Sequence, residues 1–266
     1  MENIYFALTE AFNRGQPTVA LASGQAVVFY RIAIMSKDGD WVIRETPESC
    51  ARVLEELRRR GACYRPSAPL DVRWLSAGWS SHFEFFDERA RRVRCDFFSR
   101  PPRVPLSVVH SLFEGPPGPA LRAVDPESLI LMKQTQRAKD YVVIGALASL
   151  LPPEREVELT TDPDRLLALA PHVGAGSLRP AVQAALREGT RRAVVVALAE
   201  EADDLQRRDA TRLSAYERVA RAYLDACRAE RIADLSLADA HDRMCSLAER
   251  LLPTTMPGDR SDADAQ

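Results

Sequence analysis

The stretch SKDGDWVIRE, Ser36 to Glu45, decides how the rest of the chain is read. Two aspartates flank one glycine, and the apolar run Trp41-Val42-Ile43 follows at once. Two readings are open. Lys37-Asp38-Gly39-Asp40 has the composition of a hairpin tip. Alternatively, residues i and i+2 of a strand point to one face, so Asp38 and Asp40 form two arms of a hard-cation site.

Outward from this stretch, helix and strand signals alternate. NIYFALTEAFNR carries apolar residues at helical spacing and stops at Gly15 and Pro17. TVALAS reads as a short buried strand, with Gly24 behind it and QAVVFYRIAI as a following helix. DWVIRE is a second strand. Thr46-Pro47-Glu48 then opens a helix with a cap, a proline at the first helical position and an acid in the first turn. That helix runs through SCARVLEELRRR to Gly61. DVRWLS and SHFEFF read as strands. DERARR is a polar turn and VRCDFFS the returning half of a hairpin. Six prolines between Pro101 and Pro119 mark a linker or a long ordered loop. Asp125-Pro126 opens one or two helices running to Leu151, and the remainder is mostly helical by pattern.

The expected fold class is therefore α/β or α+β: a small mixed sheet flanked by helices, then an all-helical C-terminal region. The expected organisation is an α/β domain over 1–120, a helical region over 121–252 and a disordered tail over 253–266.

Composition narrows the functional classes. A net charge of −2 leaves nucleic-acid binding to a local basic patch. Five cysteines, none at CxxC spacing, point to buried free thiols rather than a disulfide framework or a zinc site. The longest apolar run, Tyr141 to Leu151, is too short to span a bilayer, and Glu2 and Glu10 interrupt any signal peptide. A cytoplasmic protein with no membrane partner is expected.

A third carboxylate is available on VRCDFF. Arg94, Asp96 and Phe98 share one face of that strand, while Val93, Cys95 and Phe97 share the other. An ion pair with Arg92 or Arg94 is the competing explanation of Asp96. His82 and Glu84 share a face on SHFEFF, and are read as a structural hydrogen-bonder and a surface acid. Trp74, Trp79, Phe83, Phe85 and Phe97 are expected in the packed face of the sheet.

The order small-Gly, helix, D-x-D, helix, strand with one Asp resembles the nucleotidyltransferase superfamily, especially the short stand-alone bacterial proteins of the abortive-infection toxin type. LILMKQTQRAKD is similar to that family's helix with Leu-x-x-x-Lys and Arg-x-Lys-Asp, on Lys133, Arg137, Lys139 and Asp140. The chain departs from the family at Ser23, where the first glycine of a pair is usual, and at Gly39, where an apolar residue is usual.

The resemblance implies that Asp38, Asp40 and Asp96 are catalytic and bind Mg2+ or Mn2+, and that Asp96 helps activate an attacking hydroxyl. It implies that Ser23 and Gly24 cradle the phosphates of an NTP, and that Lys133 and Arg137 neutralise the triphosphate. The implied reaction moves an NMP from an NTP to an acceptor hydroxyl on RNA (tRNA included), protein or a small molecule. The alternatives are a degenerate fold that binds nucleotide, nucleic acid or a partner, and one half of a toxin–antitoxin pair with an antitoxin-type partner.

Overall fold

A computed structural model describes residues 3–114, 120–173 and 175–255. Most of the tail expected to be disordered, residues 256–266, lies outside the described residues. The protein is a mixed α/β chain with a five-stranded sheet flanked by helices and a long helical C-terminal region. It divides into two compact units, Met1–Phe29, Ala33–Val124 and Ala215–Gln266 in the first, Tyr30–Ile32 and Asp125–Ser214 in the second.

The first unit opens with α1 (Ile4–Phe12), capped by the Asn3 side chain. β1 (Val19–Ala22), α2 (Ser23–Phe29), β2 (Gly39–Ile43) and α3 (Pro47–Arg59) follow. Thr46 caps α3 with Pro47 in its first turn and Arg58 and Arg59 in its last, as read from sequence. Next come β3 (Cys63–Tyr64), α4 (Val72–Leu75), β4 (Ser81–Phe86), β5 (Arg92–Phe98) and α5 (Leu106–Ser111). The strand order is β1-β2-β5-β4-β3, with β2 and β5 parallel and the other pairs antiparallel.

Three readings are corrected. DVRWLS is not a strand: Asp71 accepts from the Arg73 backbone N–H and caps the short helix α4, which buries Trp74 outside the sheet. The helix after Ser23 stops at Phe29, short of the apolar run that suggested it. α5 lies inside the proline-rich segment.

The buried face of the sheet is aromatic. Trp41 stacks on Phe97 at 5.2 Å between centroids, and Phe12 meets both rings edge-on at 5.6 Å. The Trp41 indole N–H donates to Thr9 Oγ1 at 2.8 Å, so the ring is buried without an orphaned donor. Alternation along β4 and β5 turns Phe83, Phe85, Val93, Cys95 and Phe97 into this core and leaves His82, Glu84, Arg94 and Asp96 on the other face. That polar face carries the candidate site.

The second unit contains α6 (Pro126–Lys133), α7 (Ala138–Ala148), α8 (Pro153–Leu159), α9 (Pro163–Val173), α10 (Pro180–Glu188) and the start of α11 (Arg191–Ala229). Val157, Leu166, Ala170, Ala181, Val182 and Val194 form its core.

The helical C-terminal region thus divides differently from the expected 121–252 block. The end of α11 and α12 (Leu237–Leu251) belong to the sheet unit. Trp74 and Trp79 donate their indole N–H groups to the carbonyls of Leu252 and Pro253, and the Tyr64 hydroxyl meets His241 Nδ1 at 2.8 Å. Those bonds hold the last helix against β3 and α4. Among the described residues, no helix is long and apolar enough to cross a membrane.

Candidate functional site

β2 and β5 run parallel with Asp40 directly opposite Asp96. Register partners share a face, and neighbouring strands are about 4.8 Å apart, so the two carboxylates rise side by side from the polar face. On the other side of β2, Ala22 is the partner of Asp40. β1 ends at Ala22, so the Ser23-Gly24 turn begins beside the aspartates.

That turn is tightly specified. Ser23 sits in the left-handed region with φ of +47°. A Cβ on Gly24 would lie 2.2 Å from Ser36 Oγ, so only glycine lets the turn approach the segment leading to Asp38. The Gln25 amide donates to the Ser36 carbonyl at 2.9 Å and accepts from Asn3 at 3.0 Å, fastening the two segments together. The departure at Gly39 has a packing cause. A Cβ there would fall 2.4 Å from both the Trp41 and Tyr5 rings, which fill the space an apolar side chain would use. Tyr5 also donates its hydroxyl to the Lys37 carbonyl at 2.5 Å. Burial raises that phenol to about 12, so it remains a donor at neutral pH.

Asp38 precedes the strand and is 43% exposed; Arg94 Nη1 stands 3.6 Å from its carboxylate. Asp96 is 22% exposed, and Arg65 donates to its Oδ1 at 2.9 Å. Burial pushes the Asp96 carboxyl up to about 6, with Asp38 adding to the rise and Arg65 and Arg94 opposing it. Glu84 is held by Arg92 at 2.6 Å and lies 3.8 Å from Arg65. His82, the register partner of Asp96, meets Ser80 Oγ at 2.9 Å. Burial first, then Arg65, pull the imidazole down to about 4, so it is neutral at physiological pH.

Asp40 and Asp96 on one sheet face, with Asp38 just before the strand, are hard-oxygen donors of the kind that suits Mg2+ or Mn2+. Arg94 Nε is buried beside them with no hydrogen-bond partner, a donor that an anionic ligand oxygen would satisfy. The side chains of Asp96 and Asp38 are turned toward Arg65 and Arg94. Among the described residues, no three His, Cys, Asp or Glu side chains stand together as a metal-binding group. The donors thus suit a divalent ion in chemistry, and Asp40 and Asp96 are neighbours in register, but the side chains as placed do not assemble around one, and arginines hold Asp96 and Asp38.

Lys133 and Arg137 lie in the second unit, on either side of a break between α6 and α7. Their shared anion is internal. Asp140 accepts from Arg137 at 2.8 Å and from Thr135 Oγ1 at 2.7 Å, and Lys133 Nζ lies 3.5 Å away. Lys133 is 6% exposed, whereas the Arg137 side chain is half exposed.

Arg65 and Gln25 are site residues that sequence reading missed. Arg65 follows a two-residue strand too short to show a period, and its partner Asp96 is 31 residues distant. The one available signal for Gln25 was a polar residue inside an apolar helix, directly after Ser23-Gly24.

No family model matches the chain, and no curated protein matches it. Two solved structures are similar over most of its length. One is an H. pylori protein provisionally named a nucleotidyltransferase, 13% identical, covering 78% of this chain and 94% of its own, with a TM-score of 0.40. The other is JHP933 from Helicobacter pylori, 12% identical, covering 79% and 93%, with a TM-score of 0.41. Likeness at that level carries no argument about chemistry, and the reading rests on the side chains.

Proposed function

We propose that the chain is a metal-dependent nucleotidyltransferase that moves an NMP from an NTP to an acceptor hydroxyl. The observation that carries the reading is the register pair Asp40–Asp96 on the polar sheet face, beside the Ser23-Gly24 turn and with Asp38 at its edge. Asp38, Asp40 and Asp96 would hold Mg2+ or Mn2+, which supplies charge neutralisation at the α-phosphate and the attacking oxygen. Asp96 takes the proton of the acceptor hydroxyl on its carboxylate. Ser23 and Gly24 contribute phosphate contacts at the end of β1, and the orphaned Arg94 Nε–H is a further donor to phosphate oxygen. Lys133 and Arg137, in the second unit, stay in the proposal as candidate nucleotide-phosphate contacts, Arg137 having the exposed guanidinium. The acceptor class, RNA, protein or small molecule, an antitoxin-type partner and a cytoplasmic setting complete the proposal.

The test is label transfer. With Mg2+ present, label at the α-phosphate of an NTP should become acceptor-bound, while label at the γ-phosphate should leave as pyrophosphate. A second reading, nucleotide binding without transfer, is favoured by the arginine contacts to Asp96 and Asp38. It predicts thermal stabilisation by NTP with no dependence on Mg2+ and no label transfer.

A further inference from the structure

β3 is an edge strand of the sheet, and a cavity of about 230 Å³ opens beside it. β3 and the Pro66-Ser67 segment form one side; the end of α11, the short helical turn Ile232–Asp234 and α12 form the other. Every lining residue belongs to the first unit.

Two kinds of residue line this space. The wall is apolar and fixed: Tyr64, Cys227, Ile232 and Met244 are buried, and Leu224 completes it. Tyr64 cannot swing aside, because its hydroxyl accepts from the Leu70 N–H at 3.1 Å and meets His241 Nδ1 at 2.8 Å. The rim is cationic. Arg228 and Arg231 line it with side chains 69% and 81% exposed, and Arg65 lines it as well, against the single acid Asp234. Arg228 pairs with Asp225 and Arg231 with Asp234, each partner three residues away on the surface. Exposed ion pairs of that kind hold their partners weakly, so both guanidinium groups are free to exchange onto another anion.

Volume and charge together define an occupant. An apolar cavity of about 150 Å³ takes one benzene ring. The space beside β3 therefore holds a single ring with a short substituent, and it is smaller than the roughly 300–1,000 Å³ of sites for drug-sized ligands. A neutral ring would leave the arginines without a partner from the ligand. A bare inorganic anion would leave the apolar wall uncovered. A carboxylate on a ring answers both, since its two oxygens match the planar fork of a guanidinium.

We propose that this cavity is a binding site for a small organic anion, with a ring-sized apolar body seated against Tyr64, Ile232 and Met244 and a carboxylate held by Arg228 and Arg231. The proposal does not rest on the nucleotidyl-transfer reading and is tested apart from it.

The experiment is calorimetric titration of the full chain at low ionic strength with benzoate, benzamide and inorganic phosphate. Benzoate carries ring and charge, benzamide the ring alone, and phosphate the charge alone. Benzoate should saturate with a Kd of about 1 mM or tighter, in keeping with so few ligand atoms. Benzamide and phosphate should each bind about tenfold more weakly or worse. The double variant Arg228→Gln with Arg231→Gln should weaken benzoate by about tenfold and leave benzamide unchanged. Both arginines are exposed, and circular dichroism checks that the variant folds. Ala233→Trp, at an exposed lining position, should obstruct the cavity and abolish benzoate binding. Absence of saturation by benzoate up to about 10 mM would overturn the proposal. So would equal affinity for phosphate and benzoate, which marks unselective attraction to surface arginines. Benzoate binding that neither the arginine pair nor Ala233→Trp alters would also overturn it, because the ligand would then sit elsewhere.

Discussion

Replacing Asp96 by Asn should stabilise the metal-free protein at neutral pH, and the benefit should depend on pH in a defined direction. The Asp96 carboxyl is raised from an ordinary value near 4 to about 6, chiefly by burial. A shift of two units corresponds to a ceiling of about 3 kcal/mol against the ionised form in the folded state. For a raised carboxyl, the folded chain binds more protons than the unfolded one between those values. Its stabilising contribution is therefore complete below about pH 4 and is lost as pH rises through about 6. Asparagine is neutral at every pH and escapes that loss, although Arg65 then has a weaker acceptor, a cost of about 1 kcal/mol. The expected net gain for Asp96→Asn is about 1–2 kcal/mol at pH 8. Linkage makes the variant's advantage grow by about 1–1.5 kcal/mol between pH 5 and pH 8. Urea denaturation of both proteins at several pH values, with chelator present, measures this directly. An advantage that shrinks with rising pH, or a variant destabilised most at pH 8, would refute the claim that burial outweighs Arg65 at this carboxylate.

The remaining predictions concern the reaction and the second unit. Asp40→Asn should abolish metal-dependent NMP transfer while the melting temperature barely moves, since the substitution keeps the size of a partly exposed strand side chain; residual transfer at wild-type rate argues against its role. At subsaturating Mg2+, transfer rates should fall as pH drops through about 6, because the proton and the cation compete for the Asp96 carboxylate, and a flat profile from pH 5 to 8 at low Mg2+ would count against it. Lys133→Ala should cost about 1–3 kcal/mol in denaturant unfolding by leaving buried Asp140 less compensated. Arg137→Ala should instead weaken NTP binding with a smaller stability change, since its side chain is half exposed; titration of NTP against both variants separates the two effects.

The parts of the fold that were readable in sequence are those governed by local rules. SHFEFF and VRCDFF alternate because one face of β4 and β5 is buried in the core, and the same alternation correctly put Asp96 opposite Cys95. The cap and proline before α3, and the acid before α6, follow from backbone groups that every helix start must satisfy. Long-range contacts were not readable. DVRWLS has the β-branched and aromatic content of a strand, yet Asp71 caps a helical turn, and the Trp74 indole bonds to Leu252, 178 residues away. The return of α12 to the sheet unit rests on such pairs, including Tyr64 with His241. At the site, sequence order placed Asp40 and Asp96 on strands, while Asp38 falls just before β2, and it carried no trace of Arg65, which follows a two-residue edge strand. Lys133 and Arg137 read as a cationic pair awaiting an outside anion, while Asp140, seven and three residues on, already lies between them.

The measurement that bears most directly on the central claim is the fate of the α-phosphate. The full chain is incubated with each of the four NTPs labelled at the α-phosphate, with Mg2+ or Mn2+, and with RNA and the protein itself as acceptors. The account predicts acceptor-bound label with at least one NTP, equimolar pyrophosphate release, and loss of both on chelation and in Asp40→Asn. Release of the γ-phosphate alone, or label transfer that survives chelation and the Asp40→Asn substitution, would contradict it.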